Sequence, residues 1–517
     1  MRLSVNTVGQ YRASVYEVAR NLLRSRNTQR ARAEKLKERL AEQERINEQL
    51  RAERRQLAEQ LRLAKEQLDQ ARQEREHLRE QPLVLPDDPR LPHHSYGARM
   101  ISVCIQLAKE VGLRGSTKAL KIVLDWLSIP AKIPCWTSVR TWLCRMGLDE
   151  IQHSRQHHDD WIWMADHSNQ IGREKVLTIL GIRECNLPPP GQTLRHQDVR
   201  VLAVVPGTQW KREDVAEQYR ALCEAVGTPK MLLTDGAVEL RESAQVLEKD
   251  GKQPILLRDM KHFAANELER MIGKMPAFQA VMTSLGRTRS AIQQTELSHF
   301  TPPSQKPKAR FMNLGPTLCW AETILWQLDH PDAQAREGIE VHRMDEKLGW
   351  LREYRSEIAQ WRQIEGVIND SLGFINTRGL YRGAAEDLRR HLDSLGPVNH
   401  TRCELSDQMA STLIDFVSSA EAQLAEGQRG WLSTEILESA FGLYKSLEGQ
   451  HSKGGFTSLL PAFGALLRDC TPAEVRESFH RTSVAHTRQW TKTRLGKTLG
   501  SRKSSAYRKT LSLAPDS

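Results

Sequence analysis

Asp166 and Asp235 each close an apolar run, in "WIWMADHSNQ" and "KMLLTDGAVEL". Such runs read as buried strands, so each carboxylate is expected at a strand end, where α/β sheets bind their ligands. On neighbouring strands the two carboxylates converge. Converging carboxylates repel and raise one another's pKa unless a cation lies between them. Magnesium is the natural occupant, because it is hard, oxygen-liganded and keeps water and phosphate ligands readily. Two such ions roughly 4 Å apart activate an attacking oxygen and stabilise a leaving one at a phosphodiester. Either aspartate alone could be an ordinary turn residue; the pair carries the inference.

A third carboxylate is sought on a helix. "TEILESAFGLYK", Thr434 to Lys445, has an apolar helical pattern interrupted by Glu435 and Glu438. Lys445 follows Glu438 by about two turns, so it shares that face and could reach a DNA phosphate. Glu438 is the first choice and Glu435, three residues earlier, the reserve; the bland alternative is an exposed helix residue.

Around these residues the elements read in order. "KVLTILGIR" (Lys175 to Arg183) and "VRVLAVVPG" (Val199 to Gly207) are the second and third strands, pairing antiparallel with the first. "KREDVAEQYRALCEAVG" is a helix stopped by Gly227. The strand ending at Asp235 follows that helix and is expected to run parallel; a helix and the short strand "PILLRD" come next.

With Asp166 and Asp235 in this strand order, the chain resembles the RNase H-like catalytic domain of DDE transposases and retroviral-type integrases. The resemblance covers roughly Trp161 to Leu460 and implies a third carboxylate on a later helix, reached after a helical insertion as in Mutator-like and hAT-like members. Several of those also carry a Cys/Asp-x-x-His motif after the fifth strand. "RDMKHF" supplies Asp259 and His262 in that spacing, as supporting residues that either structure the site or help the chemistry. The related pattern places a Tyr and an Arg before the Glu, where this chain has Trp431 and Thr434. What the resemblance implies is a Mg²⁺-dependent transposase with Asp166, Asp235 and Glu438 as catalytic residues and ligands of two metal ions, Mn²⁺ substituting. Its partner is double-stranded DNA, as element ends and target.

The rest of the 517 residues bounds this reading. A net charge of +11 favours a polyanionic partner. Eight scattered cysteines without a C-x-x-C pair suggest neither a zinc site nor a disulfide framework. No apolar run reaches membrane-spanning length, and "MRLSVNTVGQYRASVYEVAR" lacks the apolar core of a signal peptide. A cytoplasmic, nucleoid-associated bacterial protein is expected, with no membrane partner.

From about Arg20 to Glu80 there is neither Gly nor Pro. One heptad seam takes Leu36, Gln43, Leu50, Leu57, Ala64, Ala71 and Leu78, and the other Leu40, Asn47, Arg54, Leu61, Leu68 and Arg75. That unbroken 4-3 spacing predicts a coiled coil over 30–80, and Asn47 suits a parallel homodimer; a single solvated helix is the alternative. Residues 81–96 carry four prolines and read as a linker. Residues 97–152 read as a helix-turn-helix-like unit with Ser116 as an N-cap and Arg140 and Arg145 as DNA contacts, or as a plain helical spacer.

The expected fold is therefore multidomain. An N-terminal α coiled coil (1–80) and an α-helical DNA-binding unit precede an α/β RNase H-like core. That core comprises 158–274 and 431–478, interrupted by an all-α insertion (275–430), and a flexible basic tail (479–517) follows. The insertion's Trp320, Trp326, Trp350 and Trp361 are core residues or a platform for a flipped base. Two other functions fit the same residues: a structure-selective nuclease on this scaffold, and a non-catalytic DNA-binding protein derived from a transposase.

Overall fold

The computed structural model describes residues 15–80, 87–153, 156–168, 175–248, 253–305, 311–332, 341–395, 402–449, 456–495 and 504–507. The chain divides into two units, residues 1–87 and 88–517.

Among its described residues the first unit holds one 66-residue helix, α1 (Val15–Glu80). Its apolar residues lie bare. Leu36, Leu40, Leu50, Leu57, Leu61 and Leu68 are all more than half exposed. Arg62 pairs with both Glu59 and Glu66 at 2.6 Å, one turn to either side. Such exposed pairs add only a few tenths of a kcal/mol each, so the helix has little to hold it but its backbone and whatever covers the leucines.

The second unit is built on a five-stranded sheet of order β3-β2-β1-β4-β5. β1 (Trp161–His167), β2 (Lys175–Arg183) and β3 (Arg200–Gly207) form an antiparallel meander. β4 (Met231–Thr234) runs parallel beside β1, and β5 (Ile255–Arg258) parallel beside β4. The sheet is buried on both faces. On one side Trp161, Trp163, Ala165, Leu177 and Leu232 pack with Val215, Tyr219 and Leu222 of α4 (Arg212–Val226) and Leu240 of α5 (Val238–Glu242). On the other, Ile162, Met164, Met231, Leu233 and Leu257 join the main core. The strand expected to end at Asp235 stops one residue earlier, at Thr234; Gly236 then turns the chain at φ 95° and α5 begins at Val238.

The segment before the sheet departs from expectation. Asp88, inside the expected linker, accepts from the amides of Arg99 and Met100 at 2.9 Å each and so caps α2 (Ala98–Trp126). Two helices separated near Gly112 are expected from the sequence, and α2 is indeed interrupted there: Gly112 takes the non-helical φ 75° and ψ 167°. Ser116 is no N-cap: its hydroxyl donates to the Leu113 carbonyl. α3 (Trp136–His153), expected as a recognition helix, is buried along much of its length. Its Gly147 lies so close to the Pro461 carbonyl that a Cβ there would collide with it.

After β5, α6 (Met260–Ile272) leads into helices α7 (Pro276–Ile292), α8 (Gly315–Asp329), α9 (Val341–Leu348), α10 (Arg355–Arg378), α11 (Ala384–Ser394) and α12 (Glu404–Glu421). No strand falls among the described residues of 275–430 apart from an isolated bridge between Leu380 and Gly430. Trp361 is core, and the Trp320 and Trp350 indoles donate to the Phe300 carbonyl and the Thr288 hydroxyl. Trp326 is half exposed and stacks on His330.

Then come α13 (Glu435–Gly449), the short α14 (Phe463–Leu466), α15 (Pro472–Arg481) and α16 (Val484–Leu495). The basic stretch expected to be a flexible tail from Phe479 is thus helical as far as Leu495. Arg481 and Thr482 anchor it to the buried Asp149 of α3. Among the described residues no helix is long and apolar enough to cross a membrane.

Candidate active site

The parallel register of β1 and β4 sets Ala165 opposite Thr234, so the next residues, Asp166 and Asp235, stand side by side at the strand ends. Side chains alternate across a strand. Asp166 shares the parity of Ile162 and Met164, and Asp235 that of Met231 and Leu233, so both point toward the main core, where α13 also packs. Asp166 is buried, with one oxygen accepting from the His167 amide at 2.6 Å. Asp235 accepts from the Ala237 amide at 2.8 Å.

Burial first, and then the charge of Asp235, push the Asp166 carboxyl up to about 7; the charge of Glu438 adds to the rise, and His262 opposes it. The three expected carboxylates therefore share one electrostatic neighbourhood. Glu435 accepts from the Asn376 amide of α10 at 2.7 Å.

Asp259 locks α13 in place. It caps α6, accepting at 2.7 Å from the His262 amide and at 2.9 Å from His262 Nδ1. Its other oxygen crosses to the residue before α13, taking the Thr434 amide at 2.6 Å and hydroxyl at 2.9 Å. Both residues are fully buried. Burial alone would raise the Asp259 pKa, but the His262 hydrogen bond and charge and the two amides outweigh it, and the net shift is downward. His262 moves the opposite way: burial lowers it, while the Asp259 hydrogen bond and the charges of Asp259, Asp166 and Asp235 raise it more.

Lys261, next to His262, was not singled out from sequence. Its ammonium lies 2.9 Å from Glu438 and 3.5 Å from Glu435. Burial lowers its pKa, yet the Glu438 hydrogen bond and the charges of Glu438, Glu435 and Asp259 leave it raised. Lys261 lies inside the D-x-x-H motif, but nothing local links it to position 438. Among the described residues no three His, Cys, Asp or Glu side chains are gathered tightly enough to hold an ion; Glu438 is engaged by Lys261. The donor set still fits a hard divalent cation: it is all oxygen, and the buried Asp166 carries a penalty for its charge that a cation would relieve.

The remaining expected residues fall in different places. Lys445 is half-buried on α13. Arg140 donates to the Ser458 hydroxyl at 2.6 Å. Arg145 is not on a DNA-facing surface. It is buried, donates to the carbonyls of Thr482 (2.7 Å) and Phe479 (2.8 Å), and lies 3.8 Å from the Phe479 ring centroid. A buried guanidinium committed to these two carbonyls is not available to phosphate, so its role is to join α3 to α15 and to the Thr482 that follows it.

No protein-family model matches the chain, and neither does any curated protein sequence. Among solved structures, the chain is similar to the Drosophila P element transposase strand transfer complex at 11% identity and a TM-score of 0.34, covering 75% of this chain and 91% of that one.

Proposed function

We propose that this chain is a DNA transposase of the DDE class, with an RNase H-like core in which Asp166, Asp235 and Glu438 hold two Mg²⁺ ions, Mn²⁺ substituting. The observation that carries the reading is the side-by-side placement of Asp166 and Asp235 at the ends of β1 and β4, on the face where α13 brings up Glu438. β1 and the end of β4 carry the two aspartates, and the Asp259–Thr434 contact ties down the residue before α13. When bound, the divalent ions supply activation of the attacking oxygen and stabilisation of the leaving one, for cleavage at the element ends and then strand transfer into target DNA. Lys445, two turns from Glu438, would meet a DNA phosphate. The partner is double-stranded DNA, attracted by a net charge of +11. The exposed leucine seam of α1 would pair two chains in parallel, and the protein would work beside the bacterial nucleoid.

The test is strand cleavage on a plasmid carrying the coding region's own flanks, with Mg²⁺ or Mn²⁺. Wild type is compared with Asp166→Asn, Asp235→Asn, Glu438→Gln and Glu435→Gln. The first three substitutions should abolish cutting and Glu435→Gln should keep it. If both glutamine variants cut like wild type, the third ligand is elsewhere. Cutting of branched DNA without joining would make the protein a structure-selective nuclease. No cutting with either metal would favour a non-catalytic DNA-binding protein.

A further inference from the structure

Lys261 occupies an unfavourable place for a cation. It is the second residue of α6, where the helix N-terminus already presents partial positive charge. Two glutamates of the first turn of α13 hold it there, Glu438 at 2.9 Å and Glu435 at 3.5 Å. The Asp259–Thr434 contact brings these two helix starts together, so the lysine faces the glutamates through backbone geometry rather than chance side-chain reach. The carboxylate oxygen it engages, Glu438 Oε2, belongs to the group assigned above to the metal. An ammonium and a divalent ion about 3 Å apart on one carboxylate would repel strongly in a half-buried site.

We propose that the Lys261 ammonium is the resident counter-ion of Glu438 in the metal-free chain, and that a divalent cation binding at Glu438 displaces it. The inference rests on Glu438 being a metal ligand. It makes metal entry an exchange: one positive charge leaves the third carboxylate as another arrives, so α13 need not hold an uncompensated glutamate before DNA and metal assemble. Glu435 offers the displaced ammonium a second carboxylate on the same helix turn. Because the exchange trades one ion pair for a stronger one, Lys261 also sets how much metal the site requires.

The experiment uses the full chain and two readouts that do not depend on activity. Mn²⁺ binding is titrated through the electron paramagnetic resonance signal of the free ion, for wild type, Asp235→Asn and Lys261→Met. Acylation of Lys261 at low conversion is followed by mass spectrometry with and without Mg²⁺. A partly exposed ion pair contributes up to about 1 kcal/mol, which corresponds to about fivefold. Lys261 acylation should therefore rise about three- to fivefold with Mg²⁺ in wild type and not in Asp235→Asn, and Lys261→Met should bind Mn²⁺ tighter by a similar factor. Circular dichroism melts confirm that both variants fold. Mn²⁺ binding that is lost in Asp235→Asn, with Lys261 acylation indifferent to Mg²⁺, would overturn the exchange and leave the metal site standing. An equal rise in acylation in Asp235→Asn would overturn it too. A wild type that binds no Mn²⁺ would overturn the metal site itself.

Discussion

Asp259→Asn tests the contact that holds the third carboxylate's helix. Asp259 accepts four hydrogen bonds with two oxygens, two from His262 and two from Thr434. Asparagine keeps the shape but has one acceptor oxygen. If that oxygen stays with His262, the side-chain NH2 faces the buried Thr434 amide, donor against donor at a separation that is now 2.6 Å. The Thr434 hydroxyl can turn and accept; the Thr434 N–H cannot. Hydrogen bonds to a charged acceptor contribute about 1.5–3 kcal/mol, and a buried donor left unpaired costs about 1–3 kcal/mol, so the variant should loosen this junction by about 3 kcal/mol. That corresponds to roughly a hundredfold in the local opening equilibrium. The amides of Leu437 and Glu438 bond to the Thr434 carbonyl at 2.9 and 3.2 Å, so they open when Thr434 does. Hydrogen exchange followed by mass spectrometry at pH 7.5 should show peptides spanning 431–440 exchanging about a hundredfold faster, with β1 unchanged. Thr434→Val, which removes only the hydroxyl bond, should give about tenfold. Protection of Leu437 and Glu438 within twofold of wild type in Asp259→Asn would refute the claim that Asp259 positions α13.

Three other outcomes follow from the packing. Arg145→Ala leaves the buried Thr482 carbonyl and the half-buried Phe479 carbonyl without this donor and should cost about 3 kcal/mol in urea unfolding; unchanged stability with a weaker salt dependence of DNA binding would restore Arg145 as a phosphate contact. Leu57→Glu with Leu61→Glu changes residues already more than half exposed, so the chain should fold, yet sedimentation should show a monomer; a persisting dimer would place self-association outside α1. His262 has its pKa raised, so its contribution to stability is fully present below the unfolded value of about 6.5 and is lost as pH rises through the folded value. The stability gap between wild type and His262→Gln should be widest near pH 6 and close in alkaline solution, whereas a constant gap from pH 5.5 to 9 would refute the charged pairing with Asp259.

The sequence by itself determined what depends on near neighbours. Alternating and continuous apolar runs located β2 over Lys175–Arg183 and β3 within a residue, and placed both aspartates at strand ends. Gly227 ended α4 as its freedom to take φ 96° requires. An uninterrupted run of helix formers gave α1. The tertiary structure alone decided which distant groups meet. Helical pattern cannot reveal that α3 is buried, because a buried face and a DNA-reading face both look amphipathic; only the arrival of Thr482 and Phe479 turned Arg145 inward. The same holds at the site. Asp259 and Thr434 are 175 positions apart, and the insertion between them erases any spacing rule. Lys261 meets Glu438 because those two helix starts were already joined. Side-chain periodicity is a property of the local backbone, whereas the partner of a buried charge is set by how long loops close, and that is where the carboxylate helix and its counter-ion were decided.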